Sequence, residues 1–150
     1  MQREIEVKVK RVGVGHVKLP EYQTPGAAGL DLAANIPAPV TLEAGSRRPI
    51  PTGIAIQIPT RSIMGLVFAR SGLAARAGIN LANGVGVIDS DYIGEIICVL
   101  QNNGDQPYVV QPGDRIAQLV FVPLVVAELR EVEHLESTER GCGGFGSTGV

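Results

Sequence analysis

Residues 54–58 read Ile-Ala-Ile-Gln-Ile, so that a branched apolar side chain recurs at every second position. Because successive side chains of a β-strand point to opposite faces, this alternation predicts a half-buried strand, with the isoleucines inward and Ala55 and Gln57 outward. The same period recurs at residues 5–9, where Ile and Val alternate with Glu and Lys. Both stretches therefore predict half-buried β-strands.

Short apolar runs continue along the rest of the chain. They lie at residues 64–68, 93–100, 108–110, 116–122 and 125–129. Turn-forming Gly, Pro, Asn and Asp residues separate them, and many short strands at close spacing are typical of a β-sandwich or barrel. One short helix is predicted from Leu73 to Ala77, with Ser71 near its N-cap and Gly78 just past its end.

The composition is that of a folded domain built mainly from aliphatic side chains. Of 150 residues, 45% are hydrophobic and 19% are charged, which fits one domain with a substantial core. Aromatic residues make up only 4%, so aliphatic residues must build the core. The net charge is -2 and no basic run is longer than two residues, as at Arg47 and Arg48, so we expect no nucleic-acid partner. A free nucleotide is a better candidate ligand.

The cysteines and the apolar stretches indicate the cellular compartment in which the protein is expected. Cys98 and Cys142 give neither the spacing of a metal site nor a disulfide framework, which fits a reducing compartment. The longest apolar stretch, residues 116–127, is short and interrupted by Gln118 and Pro123, so we expect no membrane span and no signal peptide. These observations predict a cytoplasmic protein.

The last eleven residues combine groups that bind phosphate with one aromatic ring. Arg140, Ser147, Thr148 and exposed N–H groups suit a string of phosphates, while Phe145 offers a stacking face for a base. Ordering such a glycine-rich segment costs on the order of 10 kcal/mol or more. We therefore expect it to close only over a ligand, the alternative being a disordered terminus.

Arg70, Ser71 and Gly72 stand between a predicted strand and the predicted helix. Unpaired N–H groups and the helix dipole at such a point favour an anion, and the arginine adds a positive charge. The alternative is an ordinary N-cap beside a surface arginine.

Residues 83–88, Asn-Gly-Val-Gly-Val-Ile, predict a hairpin whose backbone comes close to a ligand. The amide of Asn83 can both donate and accept hydrogen bonds, which suits a uracil-like imide edge. Asp89 or Asp91 is a candidate to activate a water molecule, and Tyr92 to wall off a sugar. A turn with two solvated aspartates is the alternative.

Two further polar residues interrupt apolar surroundings. Asp31 lies among small and apolar residues, where an unpaired charge is costly, so it needs a partner such as Arg70 or a hydrated metal ion. Gln118 interrupts the run at residues 116–122, although alternation could equally place it on a solvent-facing side.

Taken in order, these segments resemble the five motifs of the trimeric dUTPase family, between residues 25 and 149. The motifs are residues 28–33, 69–73, 83–94, 113–121 and 140–149. The resemblance implies an all-β, distorted jelly-roll-like barrel with one short helix. It also implies a homotrimer in which the tail of one subunit closes over a neighbour's active site. The single domain, residues 1–150, would then consist of a body, residues 1–139, and a flexible tail, residues 140–150.

The resemblance further implies a reaction and a role for each motif residue. Hydrolysis of dUTP to dUMP and diphosphate, by water attack on the α-phosphorus, would limit uracil incorporation into DNA and supply dUMP for dTMP synthesis. Asp89 would orient and deprotonate the water. Asn83 and the backbone of Val87 and Ile88 would bind the uracil, and Tyr92 would exclude a 2′-hydroxyl.

The remaining motif residues would hold the triphosphate from two sides. Those of the body are Arg70, Ser71, Gly72 and Gln118, and those of the tail are Arg140, Gly146, Ser147 and Thr148, with Phe145 over the uracil. Mg2+ is implied as a partner of the triphosphate rather than as a tightly held protein metal. Asp31 would touch it through water or steady Arg70.

Two alternatives compete with this interpretation. The related dCTP deaminases would supply a glutamate beside the base, and here the nearby glutamate is Glu95, which we expect to be an outward strand residue. A non-catalytic nucleotide-binding module on the same fold could discard Asp89. The presence of Asp89, Tyr92 and the whole tail favours an enzyme.

Overall fold

The strands of the protein form two four-stranded antiparallel sheets and one smaller, two-stranded sheet. The computed structural model describes residues 4–145. Its elements, in chain order, are β1 (Lys8–Arg11), β2 (Leu30–Ala33), β3 (Val40–Leu42), β4 (Arg47–Gln57), β5 (Ile63–Ala69), α1 (Ser71–Ala77), β6 (Ile79–Leu81), β7 (Gly86–Ile88), β8 (Glu95–Asn102), β9 (Tyr108–Val110) and β10 (Arg115–Pro123). The first sheet has the strand order β1-β4-β8-β6, the second has the order β2-β10-β5-β7, and β3 pairs with β9. Within the described range the protein is thus almost all β with a single short helix, as predicted.

The two sheets pack their aliphatic faces against each other. The largest fully buried apolar side chains come from both sheets and from the β3–β9 pair: Leu32, Leu42, Ile50, Ile54, Ile79, Ile96, Leu100, Val110, Ile116 and Leu119. Burying each such side chain stabilises the fold by about 1.5–3 kcal/mol. Aliphatic packing therefore holds the sheets together, as the low aromatic content predicts.

The alternating stretch at residues 54–58 lies in and just beyond β4, and its isoleucines are buried while Gln57 is exposed. Ala55 departs from the prediction because it is buried as well. Its register partners are Lys10 in β1 and Glu95 in β8. The small side chain is shielded between these two longer ones.

Most of the predicted strands are confirmed, with bounds that shift by one or two residues. The runs at residues 64–68, 108–110 and 116–122 correspond to β5, β9 and β10. The run predicted at residues 93–100 corresponds to β8, which begins two residues later, at Glu95.

Two strand predictions are wrong in whole or in part. Residues 125–129 form no strand in the described part of the chain, and Val125 and Leu129 are 90% and 93% exposed. A strand needs a hydrogen-bonded neighbour, and this segment pairs with none of the strands described here. At the other end, β1 is an edge strand, and all four of its side chains are exposed rather than half-buried.

The hairpin predicted at residues 83–88 is also wrong. The strands on either side of the turn do not pair with each other, because β6 pairs with β8 in the first sheet and β7 pairs with β5 in the second. The turn therefore passes from one sheet to the other. Gly84 has a φ of 73°, a left-handed conformation that glycine adopts without strain, and this permits the change of direction.

Across residues 4–145, no helix has both the length and the apolar character that a membrane crossing requires.

Candidate active site

A pocket of about 260 Å³ opens where the edges of the two sheets meet. Its walls come from β5 and β7 of the second sheet and from β6 and β8 of the first. The fold brings five of the sequence-predicted site residues into its lining: Asn83, Val87, Ile88, Asp89 and Tyr92. The interpretation of residues 83–92 as one site therefore agrees with the fold, although the predicted hairpin is absent.

β7 supplies backbone to the pocket. It is the last strand of its sheet, so one side of its backbone has no neighbouring strand and its polar groups are available to a ligand. A methyl group at Gly86 would lie 3.2 Å from the Cβ atom of Val67, which is a tight contact, and at an ordinary 3.7 Å from Nδ2 of Asn83, so glycine permits the close approach of Val67. Ile88 is anchored in the core, whereas Val87 is 60% exposed.

Tyr92 is held by its own turn. Its N–H donates to the carbonyl of Asp89 at 3.1 Å, and its hydroxyl donates to the carbonyl of Glu95 at 2.8 Å. A Cβ atom at Gly94 would lie only 2.6 Å from the tyrosine Oη, so the ring packs directly on the glycine backbone. The ring is 43% exposed at the pocket, and Asp89 is exposed beside it, where water reaches its carboxylate.

Glu95 does not lie on an outward face, contrary to the prediction. It is half-buried, lines the pocket, and its Oε1 accepts a hydrogen bond from the N–H of Gly53 at 2.7 Å. The register of β4 against β8 shifts between Pro51 and Ala55, and Gly53 lies in this irregularity. Simple alternation does not apply beside such a bulge.

Cys98 also lines the pocket, as a neutral thiol. The side chain is 2% exposed, and this burial raises its pKa from the ordinary 9.0 to about 12. Since the thiolate is the reactive form, Cys98 serves packing rather than nucleophilic chemistry.

A cluster of charged residues lies at the ends of β2, β5 and β10. The Oδ1 atom of Asp31 lies 3.4 Å from Nε of Arg70, and its Oδ2 atom lies 2.9 Å from Nη1 of Arg115. The predicted partner of Asp31 is thus confirmed, and Arg115 is a second partner that the sequence interpretation missed. Two guanidinium groups against one carboxylate leave a net positive charge, which suits an anion.

Gln118 belongs to the same region. It pairs in register with Asp31 on one side and Phe68 on the other, and its Nε2 donates to the carbonyl of Ala69 at 3.1 Å. A Cβ atom at Gly29 would lie 2.9 Å from Gln118 Oε1, so the amide packs closely on that glycine. The half-buried amide is therefore fixed beside the charged cluster.

The helix α1 starts directly after Arg70. Arg70 is the N-cap residue, with an extended backbone, so that Ser71 is the first helical residue rather than the cap. The N–H groups of Leu73 and Ala74 both donate to the Arg70 carbonyl. The first N–H groups of a helix have no partner within it, so those of Ser71 and Gly72 are suited to an anion.

The structure thus groups the predicted residues in two places. The pocket holds the residues expected to bind the base and the sugar, and the charged cluster holds those expected to bind phosphates. The residues that line the pocket do not include Asp31, Arg70 or Gln118. The two groups share β5, which contributes Val67 to the pocket and ends at Ala69 beside the cluster.

The tail forms a small loop with itself. Arg140 Nε donates to the carbonyl of Gly143 at 2.9 Å, and the N–H of Gly143 donates back to the carbonyl of Arg140. The Phe145 side chain is fully exposed. Gly146, Ser147 and Thr148, three of the predicted phosphate and base contacts, lie outside the described residues.

The side chains near the charged cluster determine how a metal ion would be bound. In residues 4–145, no group of three or more His, Cys, Asp or Glu side chains could hold one. Both oxygens of Asp31 already face arginines. Mg2+ in proteins keeps several waters and often binds one or two carboxylates together with substrate phosphates. A carboxylate that is already paired in this way suits an ion that keeps its own waters and binds together with phosphates.

Comparisons with known proteins agree with this geometry. The model of the dUTPase family matches residues 15–149. A deoxyuridine 5'-triphosphate nucleotidohydrolase of Desulfitobacterium hafniense (strain DSM 10664 / DCB-2) is 56% identical over 133 residues, which cover 89% of this chain and 88% of that protein.

Solved structures show the same likeness. A mutant dUTPase of Staphylococcus bacteriophage 80alpha with dUpNHpp superposes with a TM-score of 0.86 at 29% identity, covering 97% of this chain and 99% of that one. A mutant dUTPase of phage phi11 of S. aureus, described with a structural Mg(II) ion, has a TM-score of 0.78 at 26% identity, covering 88% and 99%. The protein described here belongs to the dUTPase family.

Proposed function

We propose that this protein is a dUTP diphosphatase, which hydrolyses dUTP to dUMP and diphosphate by attack of water on the α-phosphorus. The observation that carries the proposal is the pocket that unites Asn83, Asp89 and Tyr92 on a chain of this family. The reaction would limit uracil incorporation into DNA and supply dUMP for dTMP synthesis.

The base would be bound at the edge of β7. The Asn83 amide and the free backbone side of Val87 and Ile88 offer the donors and acceptors that an imide edge needs. A thymine methyl would have to be accommodated by an already packed wall, and overpacking typically costs about 1–3 kcal/mol. This cost would favour uracil.

The sugar would lie against Tyr92. The ring is fixed by the hydroxyl bond to Glu95 and by close packing on Gly94. A ring fixed in this way would stand against a 2′-hydroxyl, so that deoxyribose would be preferred to ribose.

Asp89 is the proposed general base. Its exposed carboxylate at the pocket would orient a water molecule and accept its proton as the oxygen attacks the α-phosphorus. Arg70, the N–H groups of Ser71 and Gly72, and Gln118 would bind the phosphates from the body. The binding role of this cluster would be positional and electrostatic, as in other phosphoryl-transfer reactions.

Mg2+ is the proposed metal partner, bound with the triphosphate. When bound, it would neutralise negative charge and orient the phosphate chain. Asp31 is the carboxylate of the cluster that would face the metal ion. The contact would run through a water molecule, because both oxygens of Asp31 are already paired with arginines.

We also propose a homotrimer whose tails close over neighbouring sites. The isolated chain exposes Val125, Leu129 and Leu135 at about 90% each, an apolar surface that a partner subunit would cover. Arg140, Ser147 and Thr148 would then hold the β- and γ-phosphates, and Phe145 would lie over the uracil. Residues 1–150 would form one domain, with residues 1–139 as its body and residues 140–150 as its tail.

A cytoplasmic location is proposed on the basis of the two free cysteines, Cys98 and Cys142, which fit a reducing compartment.

The test is pyrophosphate release from dUTP, dCTP, dTTP and UTP with Mg2+, with chromatographic identification of each product, for the wild type and for Asp89→Asn. We expect release from dUTP, giving dUMP. The variant should bind dUpNHpp as the wild type does but lose about 100-fold or more in kcat, because the asparagine cannot accept the proton. Full turnover by Asp89→Asn would remove Asp89 from its role, and uracil products from dCTP would indicate a deaminase.

A further inference from the structure

Arg115 is a charged residue that lies beside the proposed phosphate site. The reaction proposed above assigns it no role. It is the first residue of β10, where the register against β2 shifts between Arg115 and Ala117. The shift sets Arg115 opposite Ala33, and its guanidinium reaches Asp31 on the same strand.

Two separate contacts connect Arg115 to Arg70. The Arg115 carbonyl accepts a hydrogen bond from Arg70 Nη1 at 3.1 Å. The Arg115 guanidinium holds Oδ2 of Asp31 at 2.9 Å, while the other oxygen of the same carboxylate faces Arg70 Nε at 3.4 Å. The same nitrogen of Arg115, Nη1, also donates to Oε1 of Gln23 at 2.9 Å, a second contact that fixes the guanidinium.

These contacts divide the donors of Arg70 between the protein and a ligand. A guanidinium has five N–H groups in one plane, and within residues 4–145 two of its nitrogen atoms have protein partners: Nη1 donates to the Arg115 carbonyl, and Nε forms an ion pair with Asp31 at 3.4 Å. With two points of a planar group fixed, its remaining N–H groups keep a defined direction. The Arg70 side chain is 29% exposed, so these groups remain accessible to an anion.

The Arg115 side chain also prevents a competing arrangement. A carboxylate and a guanidinium prefer a bidentate pair with two parallel hydrogen bonds. If Oδ2 of Asp31 were free, Asp31 could take Arg70 in this manner and engage the donors that a phosphate needs. Loss of the Arg115 charge would also lower the net charge of the cluster from positive to neutral.

We infer that Arg115 is a positioning residue, which keeps Asp31 from sequestering Arg70 and so holds Arg70 ready for the triphosphate. This inference rests on the proposed function, because it takes dUTP as the ligand of Arg70. Arg115 acts through Asp31 and through its own carbonyl, without a contact to the substrate.

The experiment is a double-mutant cycle with the full-length protein, read as the Kd for dUpNHpp and as KM and kcat for dUTP. Arg115→Met should raise the Kd and the KM about tenfold while kcat changes less than about threefold. The reason is that Arg70, once paired with Asp31, no longer binds the phosphates of the bound nucleotide. Arg115→Lys should raise them less, since the ammonium keeps the positive charge and can still donate a hydrogen bond to Asp31, although it lacks the planar fork of a guanidinium. In an Arg70→Met background, Arg115→Met should add no more than about twofold, because residues that act through each other are not additive.

The matched control is Arg61→Met. Arg61 is exposed and precedes β5, whereas Arg70 follows it, and a seven-residue strand spans about 23 Å. The control should leave the Kd unchanged. Circular dichroism checks that each variant is folded, and if Arg115→Met is not, the cycle is run with Arg115→Lys, whose smaller loss should likewise vanish in the Arg70→Met background.

Two results would overturn the inference. One is a Kd that does not change in the folded Arg115 variant, and the other is a loss of equal size with and without Arg70. A wild-type protein that releases no diphosphate from dUTP would overturn the proposed function first, and the role of Arg115 with it. Activity in the wild type together with an additive cycle would overturn the role of Arg115 alone.

Discussion

Replacing Gly94 with alanine would put a methyl group where the ring of Tyr92 lies. The added Cβ atom would be 2.6 Å from Oη, 2.7 Å from Cζ and 3.0 Å from Cε2. Because non-bonded carbon atoms settle at about 3.5–4.0 Å, the ring must retreat by about 1 Å. The hydrogen bond from the tyrosine hydroxyl to the Glu95 carbonyl, now 2.8 Å long, would then be broken.

The cost follows from these contacts. A lost hydrogen bond costs about 1 kcal/mol, and residual overlap in a half-exposed site adds about 1 kcal/mol. For a domain of this size, a total of about 2 kcal/mol lowers Tm by roughly 4–8 °C. If Tyr92 excludes the 2′-hydroxyl, its retreat should also lower the preference for dUTP over UTP, expressed as the ratio of kcat/KM values, by about tenfold, or about 1.4 kcal/mol.

The assay is pyrophosphate release from dUTP and from UTP, with thermal melting followed by circular dichroism. The matched control is Gly26→Ala, because the added methyl group there meets no atom within 4 Å. An unchanged dUTP/UTP preference in Gly94→Ala, together with an unchanged Tm, would mean that the added methyl group does not displace the ring of Tyr92. A lower Tm with an unchanged preference would refute the sugar-excluding role of Tyr92 alone.

Two further predictions concern the tail and the buried thiol. Deleting residues 140–150 should leave a folded trimer, as measured by analytical ultracentrifugation. The trimer should hydrolyse little dUTP, since the tail that closes over the active site is missing. Full activity of the truncated protein would contradict the proposed role of the tail. Burial raises the pKa of Cys98 from the ordinary 9.0 to about 12. As the pH rises, the thiol therefore loses its proton in the unfolded chain before it does so in the folded protein. The contribution of the Cys98 proton to stability is complete below about pH 9 and declines between about pH 9 and 12. Urea unfolding from pH 8 to 11 should show a steeper fall, by up to about 1.4 kcal/mol per pH unit, in the wild type than in Cys98→Ala, and parallel curves would contradict this assignment.

Local patterns predicted most of the fold because they report contacts within one strand. Residues 108–110 were predicted as a strand and form β9 with the same bounds. Residues 125–129 have an equally apolar pattern and form no strand, because a strand also needs a neighbour, and a pattern does not reveal whether the chain itself supplies one. The hairpin prediction at residues 83–88 is wrong for a similar reason, since β6 and β7 pair with strands that are distant in sequence and not with each other.

The site was predictable where its residues are adjacent in the chain and less so where they meet across strands. Asn83, Asp89 and Tyr92 are close in sequence and line the same pocket, while the roles that the resemblance implies for them stay predictions. Arg115 was missed because only the pairing of β10 with β2 brings it to Asp31, 84 residues away in sequence. Glu95 was placed on the wrong face because the bulge that presents the Gly53 N–H lies in another strand.

The position of the pocket between two sheets makes its width a property of the core. One wall moves with β5 and β7 and the other with β6 and β8, and the distance between them depends on buried side chains such as Ile54 and Leu119 that do not line the pocket. Close-packed interiors respond to a change of a single methylene group. Selection for a larger or smaller base can therefore act on residues that do not contact the ligand. Mutational screens for altered base preference should include buried core positions as well as the residues that line the pocket.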